Sequence, residues 1–247
     1  FRPDPFVRGG AHATNAWLQE LPRPLTRLTW DNAALIAPDT AARLKLKTED
    51  MVEISVDGHT AHLPVMILPG QAADCVALSL GYGRRMPGSL ADRVGVDVYP
   101  LRRSTDLWQA TGAQLRDAGE RRMLAMTQHH QTMDGRDIVR VEPLDEFLRH
   151  PPDHEKPPPS LYPRFRYDGT AWGMAISLNS CIGCGACVAA CQAENNIPTV
   201  GRDEVMRGRE MHWIRIDRYW GGAPEHPEIL FQPVPCMHCE EAPCELV

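Results

Sequence analysis

Between residues 51 and 58 apolar and polar positions alternate, so Val52, Ile54 and Val56 share one face of a strand and Asp57-Gly58 forms a hairpin turn. The return strand is expected over residues 59–63. Pro64 then interrupts it, residues 65–68 follow as another apolar segment, and Pro69-Gly70 turns the chain. A further strand is expected over residues 75–80, in which Cys75 reads as a small buried hydrophobe. Ahead of these, Pro38-Asp39 before Thr-Ala-Ala-Arg-Leu44 predicts a short capped helix. Residues 125–127 and 137–141 are expected as edge strands. Short strands with turns between them read as a small β-barrel or sandwich.

This pattern occupies residues 25–148 and follows an irregular, proline-bearing segment, 1–24. Six prolines fall within residues 149–163, which makes 149–170 a semi-rigid connector and leaves 171–247 as a second unit. In that unit, residues 211–219 and 229–232 flank Gly221-Gly222 and predict a β-hairpin. The fold class expected is α+β: a β-domain, a connector and a partial ferredoxin-like domain.

The second unit also concentrates the chemistry. Seven of the eight cysteines lie in two runs, Cys181-Ile-Gly-Cys184-Gly-Ala-Cys187-Val-Ala-Ala-Cys191 and Cys236-Met-His-Cys239-Glu-Glu-Ala-Pro-Cys244. The first is the C-x2-C-x2-C-x3-C spacing of bacterial-type iron–sulfur ferredoxins. Two-residue gaps wrap the backbone around a cluster, and Gly183 and Gly185 ease that wrapping. Val-Ala-Ala before Cys191 reads as the first turn of a helix. In two-cluster ferredoxins the fourth cysteine ligates the other cluster. Cys181, Cys184 and Cys187 are therefore read as ligands of one cluster, Cys191 as a ligand of a neighbour, and Cys236, Cys239 and Cys244 as three further ligands. Groups of three, one and three complete no cubane. The missing thiolates are expected beyond Val247 or on another chain, and the isolated chain is expected to hold clusters poorly. Gln192 stands where a simple ferredoxin run has proline, so a minimal ferredoxin is not the best match.

Two other readings of the cysteines stay open. Zinc sites pair C-x2-C units about 15–20 residues apart; Cys184 and Cys236 are separated by more than twice that, and each pair carries further cysteines. Seven cysteines cannot all pair as disulfides, and C-x2-C repeats favour metal or redox use. His238, inside the second run, reads as an ordinary histidine. So does each of His129 and His130, since neighbours on a strand face opposite ways.

Net charge is −6 in 247 residues with no basic run, which argues against a nucleic-acid partner. Apolar stretches are too short to span a bilayer. Holding clusters in a row calls on no side chain as acid, base or nucleophile, so no catalytic residue is expected.

Several blocks carry a resemblance. Residues 172–181, 191–198, 208–219 (Gly-Arg-Glu-Met-His-Trp-Ile-Arg-Ile-Asp-Arg-Tyr) and 233–244 are similar to the iron–sulfur subunit family of alternative complex III, a bacterial respiratory quinol oxidoreductase. More broadly they resemble four-cluster electron-transfer subunits of molybdopterin oxidoreductases. Residues 28–35, 80–84 and 127–136 (Thr-Gln-His-His-Gln-Thr-Met-Asp-Gly-Arg) resemble the last domain of the molybdopterin-enzyme-like region in that iron–sulfur family. The resemblance implies a double-psi β-barrel over residues 25–145 and a scaffold that has lost molybdenum. It implies three [4Fe-4S] clusters and one [3Fe-4S] cluster in the complete subunit. It also implies integral membrane quinol-binding subunits and c-type cytochrome subunits as partners, and a place on the periplasmic, positive side of the membrane. The rival implied by the broader class is the iron–sulfur part of a catalytic molybdopterin reductase.

Overall fold

The computed structural model describes residues 1–150, 161, 165–170, 172–240 and 242–246. Most of the expected proline-rich connector lies outside these residues. The alternating stretch becomes β3 (Asp50–Val56), with Val52, Ile54 and Val56 buried on one face. Asp57 (φ 49°) and Gly58 (φ 82°) form the left-handed two-residue turn that fits strand twist, and β4 (His59–Ile67) returns antiparallel. Here the structure differs from the sequence reading: β4 runs through Pro64 without a break. Its pairing with β3 ends at Met51↔Pro64, and parallel pairing with β2 (Ala34–Ile36) begins at Val65. The residue lacking an N–H thus sits at the handover between two neighbours, where a ladder donor is dispensable.

The sheet order is β2-β4-β3-β6, with β6 (Gln114–Arg121) antiparallel to β3. Ile36, Val52, Ile54, Leu63 and Val65 from this sheet meet Leu80 in the main core. A two-stranded parallel pair joins β1 (Arg2–Pro3) to β5 (Ser79–Leu80). Isolated bridges at Leu35↔Ala77 and Leu28↔Met126 carry the pairing further. The strand expected over 75–80 is thus shorter, and Cys75 is exposed instead of buried, because the chain turns just before it at Ala73 and Asp74. Residues 137–141 form no strand, and 125–127 contribute only the bridge at Met126. The predicted helix is α2 (Pro38–Leu44), with Pro38 at its first turn and no side-chain cap.

Residues 1–24 hold more order than the sequence suggested. They contain β1 and α1 (Ala16–Glu20), which is capped by Asn15 accepting the Leu18 N–H at 3.1 Å. They are anchored by a buried polar cluster. Asp4 pairs with Arg23 at 2.9 Å, accepts the Tyr82 hydroxyl at 2.8 Å, and takes the Phe6 and Val7 amides at 2.9 Å each. Burial alone would raise the Asp4 pKa, but Arg23 and these donors outweigh it and hold the carboxyl below its ordinary range. A depressed folded-state pKa gives stability that is complete above the unfolded pKa and is lost as pH falls through the folded value. Asp4→Asn should cost about 3–5 kcal/mol near neutral pH, since it leaves Arg23 buried without its partner. Urea titrations of both proteins across the acid range should show the gap narrowing as pH falls.

Beyond the sheet come α3 (Leu144–Arg149), α4 (Ala186–Glu194) and α5 (Arg202–Val205). The predicted hairpin is β7 (Arg215–Ala223) and β8 (His226–Val234). Ala223 pairs with His226, so the turn is Pro224-Glu225 and the glycine pair lies within β7. Among the described residues no helix is long and apolar enough to cross a membrane.

Candidate metal centre

A one-turn 3-10 helix at Leu178–Ser180 delivers Cys181 into a loop that ends at the start of α4. Gly183 (φ 64°) and Gly185 (φ 74°) both take the left-handed conformation there. Gly185 is the residue preceding α4, and its carbonyl receives the Ala189 amide at 2.9 Å. Cys187 and Cys191 lie on α4 four residues apart, hence on one helix face. Cys181 and Cys191 are half-buried, while Cys184 and Cys187 are exposed. Burial pushes the Cys187 thiol up, and the neighbouring Cys184 and Cys181 thiols push it the same way. Cys181 and Cys184 thus lie within electrostatic reach of Cys187, and Cys191 stands one helical turn beyond it.

The hairpin lies against this loop. A Cβ on Gly183 would fall 2.3 Å from the Phe231 ring, so the ring of β8 fills the space a side chain would take. Leu21, Val188 and Ile216 form a small core beneath, with Phe231 packed on it. Trp213, ahead of β7, is 49% exposed. Gly183→Ala should combine the left-handed penalty of about 1–2 kcal/mol with the ring clash. Denaturation should show a larger loss than that penalty, and adding Phe231→Leu should recover only the steric share.

The second run follows β8. Cys236, Cys239 and Cys244 are all exposed, and Cys244 sits in a 3-10 turn, Pro243–Glu245. His238 is exposed with φ 48°. His129 and His130 are both exposed and lie in a loop, not on a strand. All eight cysteines are free thiols. Among the described residues no three Cys, His, Asp or Glu side chains gather around one ion position. Free thiols spread along a glycine-opened loop suit a cluster of several irons, which takes thiolates at separate metal atoms, and the first run fits that group. Cys181, Cys184 and Cys187 would hold it there, Cys191 would serve a neighbouring cluster, and the exposed second run would supply Cys236, Cys239 and Cys244.

Sequence reasoning missed the groups that dock this unit on the first. Glu20, fully buried, accepts the Val200 amide at 3.0 Å, the Gly201 amide at 2.7 Å and the Trp30 indole N–H at 2.9 Å. Trp17 donates to the Ile197 carbonyl at 2.7 Å. Gln128 accepts the Arg218 amide at 2.8 Å, and Gln131 takes the Trp220 amide at 2.8 Å. Arg27 donates to the Ile216 carbonyl at 2.5 Å. Nothing in the local sequence marks these residues, because each contact between the two units spans some 90 to 190 positions.

Arg27 also lines a cavity of about 230 Å³ with Gly185, Val188, Glu210, His212 and Asp217. Burial raises the Glu210 pKa and lowers that of His212, whose Nδ1 lies 3.2 Å from the Gln192 amide nitrogen.

Residues 180–247 match the model of the 4Fe-4S dicluster domain family. Over 75 residues the chain is 41% identical to the menaquinone reductase iron–sulfur cluster-binding subunit of Nitratidesulfovibrio vulgaris, covering 30% of this chain and 29% of that one. It is 33% identical over 72 residues to the arsenate respiratory reductase iron–sulfur subunit ArrB of a Shewanella species, covering 29% and 26%. It is 30% identical over 88 residues to the Hdr-like menaquinol oxidoreductase iron–sulfur subunit 1 of Archaeoglobus fulgidus, covering 30% and 31%. The chain thus spans under a third of the length of these curated relatives. With the cysteine loop, the helix and the free thiols in place, residues 180–247 form a ferredoxin-type 4Fe-4S dicluster segment.

Proposed function

We propose that this chain is the junction of an electron-transfer iron–sulfur subunit in a membrane-associated quinol oxidoreductase of the alternative complex III type. The observation that carries the reading is the Cys181–Cys191 loop, opened by two left-handed glycines and roofed by Phe231. A bound cluster supplies one-electron chemistry, with a potential set by ligands, hydrogen bonds, burial and charge. The chain's own residues fix position and exclude water. Cys181, Cys184 and Cys187 would hold one [4Fe-4S] cluster. Cys191 would serve a neighbour, and Cys236, Cys239 and Cys244 would serve a further group. The complete subunit would include one [3Fe-4S] cluster and no molybdenum.

On this reading residues 25–148 are the last, double-psi barrel domain of an enzyme-like scaffold. Parallel β2–β4 pairing beside an antiparallel hairpin supports that origin. Residues 149–170 are the connector to residues 171–247. The partners are integral quinol-binding subunits and c-type cytochromes at the periplasmic face, with electrons passing from quinol toward cytochrome c or an oxidase. Two of the relatives named above are a menaquinone reductase subunit and a menaquinol oxidoreductase subunit, which favours a menaquinone/menaquinol couple as redox partner; the second name carries the donor direction proposed. The test is anaerobic mixing of the intact complex with a reduced menaquinone analogue. Bleaching of the visible cluster absorption in a molybdenum-free preparation is the expected result. Stoichiometric molybdenum would instead make the protein part of a catalytic reductase.

A further inference from the structure

Two buried arginines, Arg27 beside the cysteine loop and Arg218 on β7, form no ion pair of their own among the described residues. Arg27 is 3% exposed and Arg218 is 0% exposed. Arg27 donates to two backbone carbonyls, those of Ile216 and Pro24. Arg218 donates to the Gln131 side-chain carbonyl at 3.2 Å and stacks over Trp220 at 4.4 Å. All these acceptors are neutral. Among the described residues neither guanidinium forms an ion pair; the acid adjacent to Arg218, Asp217, is engaged by Arg215 at 3.0 Å. Both Nε–H groups lack a hydrogen-bond partner. Arg27 is also held at φ 57°, a conformation that a non-glycine side chain adopts only when its surroundings impose it.

Their location gives the charge a use. Arg27 lines the same cavity as Gly185 and Val188, at the start of the helix that carries Cys187 and Cys191. Arg27 is within electrostatic reach of Asp217 and, more weakly, of Cys181, and Arg27 is itself within reach of Arg218. Burial pushes the two guanidiniums down to about 10 and about 9, so both remain charged at neutral pH. Two buried cations served by a single carboxylate, Asp217, which Arg215 already engages, leave net positive charge at one side of the cysteine loop and favour a negative group there. A cluster ligated by cysteine thiolates carries net negative charge, which grows by one unit on accepting an electron.

We propose that Arg27, with Arg218 behind it, is the built-in counter-charge of the cluster held by the first cysteine run and raises that cluster's reduction potential. The proposal rests on the cluster-binding reading above. Both arginines are positioning residues: they act on the potential through charge and not by bonding to the cluster.

The test is an EPR-monitored redox titration of the full-length protein, loaded anaerobically, as wild type, Arg27→Gln, Arg218→Gln, Arg27→Lys and Arg218→Lys, with iron and sulfide measured on each. Arg27→Gln should shift the one-electron equilibrium of the first-run cluster at least tenfold toward the oxidised form, a fall of about 59 mV. Arg218→Gln should lower it by less, and the lysine variants should stay near wild type. Unchanged potentials in both glutamine variants at full iron content would overturn the proposal and leave the cluster reading intact. If the glutamine variants lose iron, Arg27→Lys decides. Iron retained there at a near-wild-type potential supports the counter-charge; iron lost there too would show that the hydrogen bonds of Arg27, not its charge, hold the site, and would overturn it. Wild type without iron and sulfide fails the cluster reading itself.

Discussion

Cys184→Ser in the full-length protein should remove one cluster outright, lowering iron and acid-labile sulfide by about four each per chain. Cys184 is exposed at the centre of the loop between Gly183 and Gly185, where no neighbouring thiol can replace it without moving both left-handed glycines. A serine hydroxyl is a far weaker ligand than a thiolate for iron–sulfur units. Because binding energy in such domains is folding energy, the loss should spread to the α4 region as faster amide exchange. Cys75→Ser is the matched control. Cys75 is an exposed free thiol outside both runs, and its replacement should leave iron content unchanged. Equal iron in Cys184→Ser and wild type would remove the first run from the ligand set.

Glu20→Ala should have a large, purely structural effect at the junction of the two units. The carboxylate is completely buried and terminates three donors: two amides at residues 200 and 201, and the Trp30 indole. Removing it strands all three, the indole in the interior and the two amides at a half-buried junction, at roughly 1–3 kcal/mol for each unsatisfied group, so a loss on the order of 4 kcal/mol is expected. Glu20→Gln keeps an acceptor oxygen in place and should recover part of that. Urea denaturation measures the total. Hydrogen exchange at Val200 and Gly201 locates it, since those two amides should lose protection first. Protection at both amides equal to wild type in the alanine variant would show that Glu20 is not what joins the two units.

The contrast between these two sites explains what the sequence disclosed. The cysteine run was legible because its thiols are close in sequence and their spacing is that of the ferredoxin cluster motif. The β3–β4 hairpin was legible because Val52, Ile54 and Val56 alternate beside an Asp-Gly turn. The strand β6 was not: of Gln-Leu-Arg-Asp-Ala-Gly-Glu-Arg only Leu115 touches the core, so no alternation announces it. Pro64 misled because a proline is excluded from a strand only where its N–H is needed, and pairing partners cannot be read from one strand alone. Arg27, Glu20 and Arg218 were hidden for the same reason. Each looks like an ordinary surface charge until the fold closes the distance to residues 200, 201, 216 and 131. The connector's prolines were visible from composition, but composition says nothing about how the units meet. The docking contacts come instead from residues 1–33, read as irregular up to residue 24, and from the loop around Gln128 and Gln131.

The central claim is that the first cysteine run is an iron–sulfur ligand loop. It is tested most directly by Mössbauer and EPR spectroscopy of the anaerobically prepared full-length protein, with iron, zinc and sulfide quantified on the same sample. Equal amounts of iron and sulfide with cubane signals that disappear in Cys184→Ser are the predicted result. Stoichiometric zinc with no acid-labile sulfide, from iron-replete anaerobic cells, would contradict the account.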